Sequence, residues 1–192
     1  MDLERYLPEL AIAAAAAWGS GLRAYAVVFA LGLAGALGWL ELPEHLRLLQ
    51  HPLVLGASGL MTAVEFFADK LPWLDSVWDA VHSFIRIPAG AALAAAVFGD
   101  SGAAVALAAA ILGGTLAAGV HLAKAGTRAA INTSPEPLSN WSASLTEDAM
   151  VPFGLWLAVA HPVAFFVLLA VFLVACVFLL RTIWRGLRRL FA

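Results

Sequence analysis

The residues of this chain that could do chemistry fall into four groups. Glu65 and Asp69 lie one helical turn apart and are followed by Lys70, so both carboxylates project from one helix face. Paired carboxylates of this kind suit a hard cation or a proton. His121, Lys124 and Arg128 recur at i, i+3 and i+7, a basic stripe that could gate the acids or take an anion in an Arg fork. Asp75, Asp79, His82 and Arg86 recur at i, i+4, i+7 and i+11. Histidine is the side chain that titrates nearest neutrality, which makes His82, between Asp79 and Arg86, a candidate proton relay or gate. Asn132, Glu136, Asn140, Glu147 and Asp148 form the fourth group, a polar loop dense enough in hydrogen-bonding groups to line a cavity.

Each group also has a plainer reading. Asp69 and Lys70 suit a wet helix end at a membrane interface, whereas Glu65, among Val64, Phe66 and Phe67, sits deeper. Trp73 and Trp78 would anchor the Asp79 face at an interface, and the polar loop would simply be exposed. The acidic and basic stripes could also pair with each other, Glu65 with His121 or Arg128. No residue is assigned a catalytic role. The chain lacks H-E-x-x-H, a Walker loop, G-x-S-x-G and metal-spaced Cys/His, and Ser20 between two glycines has no paired base. An enzyme is therefore disfavoured, no cofactor is expected, and the identity of any metal stays open.

The elements that must position these groups are set by composition. Of 192 residues, 62% are hydrophobic and 12% charged, with 16 glycines. Soluble domains carry about 45–50% apolar residues with glycine included. This balance excludes an ordinary soluble enzyme, a disordered chain, a basic nucleic-acid-binding domain and a coiled coil. It predicts an all-α polytopic membrane protein, one integral membrane domain over 1–192, with about six or seven membrane segments. Several apolar runs fall short of the roughly 20 residues that cross the hydrocarbon core. Residues 10–22 end in Gly19-Ser20-Gly21 before Arg23, and residues 24–40 follow with Gly32, Gly35 and Gly38 spaced for close helix approach. Some segments are therefore expected to be broken or re-entrant. Residues 73–98 read either as one helix bent at Pro88 or as an interfacial helix and a half-length one, and residues 162–180 are the clearest span.

Residues 53–100 and 110–162 read as two copies of one unit, an apolar glycine-bearing helix that turns polar, then a helix with an internal proline. Arg181, Arg185, Arg188 and Arg189 predict a cytoplasmic C-terminus, and no cleavable signal is expected at the start. Cys176 stands alone in the sequence.

Gly21-Leu22-Arg23-Ala24-Tyr25, Glu65-Phe66-Phe67-Ala68-Asp69-Lys70 and Ser134-Pro135-Glu136-Pro137-Leu138-Ser139-Asn140 together resemble a family of small bacterial integral membrane proteins known as a domain of unknown function. The resemblance covers about residues 10–180; it implies a membrane location and a helical fold, and no activity. The Glu-x-x-x-Asp-Lys run is also similar to the Glu-x-Gly-Asp-Lys signature of small duplicated cation/proton exchangers. Here Glu65 and Asp69 are one residue further apart, and His121 stands where the second acid would be.

The expected function is a transporter or channel-like protein of the bacterial inner membrane for a small ion or polar solute, coupled to protons. Glu65, Asp69, His121, Lys124 and Arg128 would bind, and Asp79, His82 and Arg86 would relay or gate. The expected partners are the bilayer, the solute and further copies of the chain, with no nucleic acid. A lipid-handling protein or enzyme, and a scaffold subunit, are the alternatives.

Overall fold

The computed structural model describes residues 3–132 and 137–190. Among them are six α-helices, α1 (Leu3–Ala36), α2 (Pro52–Ala68), α3 (Pro72–Val97), α4 (Ala103–Ile131), α5 (Pro137–Ala160) and α6 (Pro162–Leu190), with 3-10 turns at Glu44–Gln50 and Gly99–Ser101. No strand occurs among the described residues, and the chain is a polytopic helical membrane protein. Four helical stretches are long and apolar enough to cross a bilayer: Tyr6–Ala36, Val77–Val97, Ala103–Ile131 and Pro162–Gly186. The first 3-10 turn and α2, bent by 68° at their junction, make a fifth candidate. Against the six or seven segments expected, the described residues thus give six helices and up to five such spans.

The helix starts follow local chemistry. Pro52 and Pro72 occupy the first turn of their helices, where a missing N–H costs nothing, and the His51 ring caps α2 by accepting from the Leu53 N–H. Pro88 and Pro152 lie inside α3 and α5, and both helices continue through them. The alternative of two segments around Pro88 is therefore not what forms.

α1 does not run straight. Arg23 has φ −149 and ψ 85, an extended residue between two helical arms. A Cβ on Gly19 would lie 2.7 Å from Val27 Cγ2, although eight residues of continuous helix would separate the two by about 12 Å. The chain therefore doubles back at Arg23 into a hairpin of two arms. The first arm descends beside α4, with Ala17 near Gly113 and Gly21 against Ala117 and Val120. The second arm returns beside α3 and against α2, placing Tyr25 on His82, Phe29 on Gly59 and Gly32 on Leu49. Residues 24–36 span about 20 Å, short of the roughly 30 Å of a hydrocarbon core.

The hairpin is the centre of the molecule. Ala11, Ala15, Ala16, Ala17 and Val27 are fully buried, and Trp18 packs edge-on against Phe165 and Phe172 of α6. The surrounding helices turn apolar side chains outward: Leu53, Leu60 and Phe67 make an exposed stripe at sevenfold spacing on α2, and Val163, Val167, Val171 and Val174 another on α6. Water would leave such a surface unsatisfied, whereas lipid is its natural solvent. α2 and α4 run toward the tip of the hairpin, and α3 and α5 run away from it. Residues 53–100 and 110–162 thus each contribute one helix that arrives at the tip and one, with an internal proline, that leaves it.

Candidate functional site

Arg23 forms the tip of the hairpin and carries the only charge between residues 10 and 40. Its guanidinium lies 3.1 Å from Asp69, 2.9 Å from Asp148 and 3.7 Å from Glu147, and donates to Ser144 Oγ at 3.1 Å. Three acids converge because α2 ends, and α5 has its polar half, at the depth of the tip.

Lys124, one turn before Arg128 on α4, meets Asp69 at 3.0 Å, Glu147 at 3.1 Å and Asp79 at 3.5 Å, and its Nζ donates to the Leu22 carbonyl at 3.1 Å. Arg128 holds Glu147 with two nitrogens, Nε at 3.2 Å and Nη2 at 2.9 Å, the fork geometry in which guanidinium binds carboxylate most strongly. It also donates to the side chain of Asn140, whose amide donates to Asn132 at 3.1 Å.

A second set sits one layer further along α3. Arg86 bridges two acids, reaching Glu65 and Asp79 at 2.5 Å each. Its Nη1 also lies 3.3 Å from His121 Nδ1, and because guanidinium can only donate, that ring nitrogen accepts. His121 then carries its proton on Nε2 and donates it to Ser83 Oγ at 2.6 Å, and the Ser83 hydroxyl donates to the Asp79 carbonyl at 3.1 Å. His82 has the opposite tautomer. Its Nδ1 donates to the Trp78 carbonyl at 2.7 Å, which leaves Nε2 to accept from Tyr25 at 3.3 Å while Trp78 stacks on the ring.

The two sets are one network. Asp69 and Asp79 share Lys124, and the whole comprises the cations Arg23, Lys70, Arg86, Lys124 and Arg128 against Glu65, Asp69, Asp79, Glu147 and Asp148. Five of each sign balance, as a desolvated cluster requires. Glu65, Asp69 and Arg86 are 0% exposed. At the rim, burial pushes the Lys70 ammonium down and the Asp148 carboxyl up from their ordinary values. Lys70 lies 3.8 Å from Asp148.

Of the residues singled out from sequence, Glu65, Asp69, Asp79, Arg86, His121, Lys124, Arg128, Asn140, Glu147 and Asp148 come together here. His82 lies beside the network on the Tyr25 side. Glu136, and the side chains of Trp73, Asp75 and Arg189, lie outside the described residues. Several expectations are corrected. The polar loop is helix at Asn140, Glu147 and Asp148, because Pro137 can open α5 at its first turn, and Asn132 caps α4 through its N–H to the Arg128 carbonyl. Asp69 is not a wet interfacial acid, since Arg23 and Lys124 hold it inside. Glu65 pairs with Arg86, not with His121 or Arg128, because α3 brings the Arg86 guanidinium within 2.5 Å of it. The Asp79, His82 and Arg86 face is turned inward and buried.

Arg23, Ser83 and Tyr25 are the members that sequence reasoning passed over. Arg23 carried a signal, a lone charge in a 30-residue apolar run. The hydroxyl groups carried none, as they match serines and tyrosines that lie anywhere. Among the described residues no group of three or more His, Cys, Asp or Glu is arranged to hold a metal ion.

The chain belongs to the family of the domain of unknown function DUF4126, which matches it over residues 10–182. No curated protein and no solved structure matches it.

Proposed function

We propose that this DUF4126 chain is a transporter or channel-like protein that moves a small ion or polar solute past the tip of the α1 hairpin, with proton coupling. The observation that carries the reading is the entry of Arg23, at a break between two helical arms, into a buried network fed by α1 to α5. Desolvating ten charges offsets much of their mutual attraction, so stability alone is a poor reason to keep them. Ionisable groups buried inside a membrane protein mark ion and proton pathways, and a helix broken beside them is a recurrent way for transporters to build a site.

In this reading Glu65 and Asp69 are the cation or proton ligands, and His121, Lys124 and Arg128 close the path by pairing with acids from other helices. Asp79, Arg86 and His82 carry the coupled proton, for which the opposite tautomers of His82 and His121 provide a donor and an acceptor. Asn140, Glu147 and Asp148 complete the wall. The run Arg181, Arg185, Arg188 and Arg189 supports a C-terminus on the cytoplasmic side of a bacterial inner membrane, and in this reading the small chain works as a homo-oligomer.

The test is flux in proteoliposomes carrying an internal pH dye. An imposed ion or solute gradient should move protons in the wild type and fail to do so in Glu65→Gln. Turnover in detergent with no gradient would instead support an enzyme, and neither signal with a fixed co-purifying partner would support a scaffold. A second reading, lipid handling, draws on a cavity of about 750 Å³ between the first arm of α1, α3, α4 and α6. It is lined by apolar residues such as Leu10, Phe98, Leu112 and Phe166.

A further inference from the structure

Lys124 Nζ sits in a cage of four oxygens drawn from four separate elements. The Leu22 carbonyl is 3.1 Å away, Asp69 Oδ2 3.0 Å, Glu147 Oε2 3.1 Å and Asp79 Oδ1 3.5 Å. We propose that this cage is a binding site for ammonium or a small protonated primary amine, and that Lys124 is its tethered occupant, displaced when the free ammonium group enters. The inference rests on the transporter reading and gives that site a substrate class.

The carbonyl is the first reason. In an unbroken α1 the Leu22 oxygen would accept from the N–H of Ala26, and the break at Arg23 releases it toward the cage. A carbonyl released at a helix break and turned onto an ammonium is a device for cation binding. The second reason is a surplus of acceptors. Lysine has three N–H donors, yet four oxygens surround it, and Asp69 Oδ1 and Asp79 Oδ2, both buried, accept no hydrogen bond. A free ammonium ion brings four donors and matches the cage more fully than its resident. The third reason is charge. When Lys124 withdraws, four cations face five carboxylates in a desolvated cluster, and one positive charge must enter. The three nearest oxygens, at 3.0–3.1 Å, lie at N–H···O hydrogen-bond distance.

Thermal unfolding in detergent tests the proposal, comparing wild type, Lys124→Ala and Lys124→Met in ammonium, methylammonium or choline chloride at equal ionic strength. Lys124→Ala empties the cage and should be destabilised in choline. Saturating ammonium or methylammonium should raise its melting temperature by about 5–10 °C. Lys124→Met fills the cage with an apolar chain and should not respond. An additional arm with phosphatidylethanolamine separates a lipid headgroup amine from a soluble one, since only the former would act when the amine is presented on the lipid alone. Folded Lys124→Ala that responds to no amine, or to choline equally, overturns the site. If Lys124→Ala cannot be recovered, calorimetry on wild type decides: saturable methylammonium binding that is absent in Lys124→Arg supports the cage, and no binding in either refutes it. Rescue in detergent without flux in liposomes would leave the amine site standing and remove the transporter reading. Flux of another solute without an amine response would do the reverse.

Discussion

Where α3 turns into α4, the first arm of α1 is held by small apolar surfaces; at its tip it is held by charges. At the first end Ala17, Gly90, Ala94, Gly113 and Ala117 form a seam in which a Cβ on Gly113 would lie 2.5 Å from the Ala94 methyl and 2.9 Å from the Gly90 carbonyl. At the second end Arg23, Arg86, Lys124 and Arg128 each bind a carboxylate or a carbonyl on another element. The difference follows from the solvent. Lipid is as apolar as leucine, so burying leucine does not drive helices together, and shape is what remains at the apolar end. At the other end the charges recognise each other by sign and geometry, which fixes which helices meet.

This contrast can be broken first on the charged side. Arg86→Ala leaves Glu65 buried without a cation and Asp79 with Lys124 alone at 3.5 Å, and should cost about 3–5 kcal/mol, read as a large drop in melting temperature or as failure to purify. Neutralising both acids along with it, in Arg86→Met/Glu65→Gln/Asp79→Asn, should recover most of that loss while abolishing flux. Stability that stays low in the triple variant would mean Arg86 acts by packing and not by charge.

On the apolar side the expected loss is smaller and comes from volume. Gly113→Ala should cost about 1–3 kcal/mol by overpacking the seam, with ion and amine responses intact, measured by unfolding and by the ligand-induced shift in parallel. A ligand response lost together with stability would show that the two ends are coupled.

Ser83→Ala probes the His121 tautomer. It strands the Nε2–H of His121 at a cost of about 1–2 kcal/mol, and nitrogen NMR of the imidazole should report a changed tautomer balance. The smallest effect is expected outside both regions, at the exposed Arg47–Glu44 pair on the first 3-10 turn, 2.6 Å apart. Arg47→Ala should leave melting temperature and flux within error, because exposed pairs are screened by solvent. A loss there would extend the functional region beyond the network.

Much of the molecule was legible from residue types and spacing. The apolar majority named the solvent, Pro52 and Pro72 marked helix starts, and the Glu65/Asp69 and His121/Lys124/Arg128 spacings located the faces that meet in the interior. The Gly19-Ser20-Gly21 run before Arg23 also divided α1 where the structure divides it. The polar stretch around Asn140 was misread as loop because serine, asparagine and proline favour turns locally. Once Pro137 opens a helix, Arg128 and Arg23 reward its polar face with charge-assisted bonds.

By itself the sequence determined that this protein lives in lipid, that α1 divides before Arg23, and which side chains are too costly to bury alone. Only the tertiary structure decided that α1 folds back on itself, that Glu65 answers Arg86, and that Lys124 is ringed by oxygens from four elements. The physical reason is range. Helical spacing and transfer cost act within a segment, so they can be read along the chain. The pairing of charges depends on which helices lie side by side, and that is set by close packing among alanines and glycines whose sequence is nearly featureless.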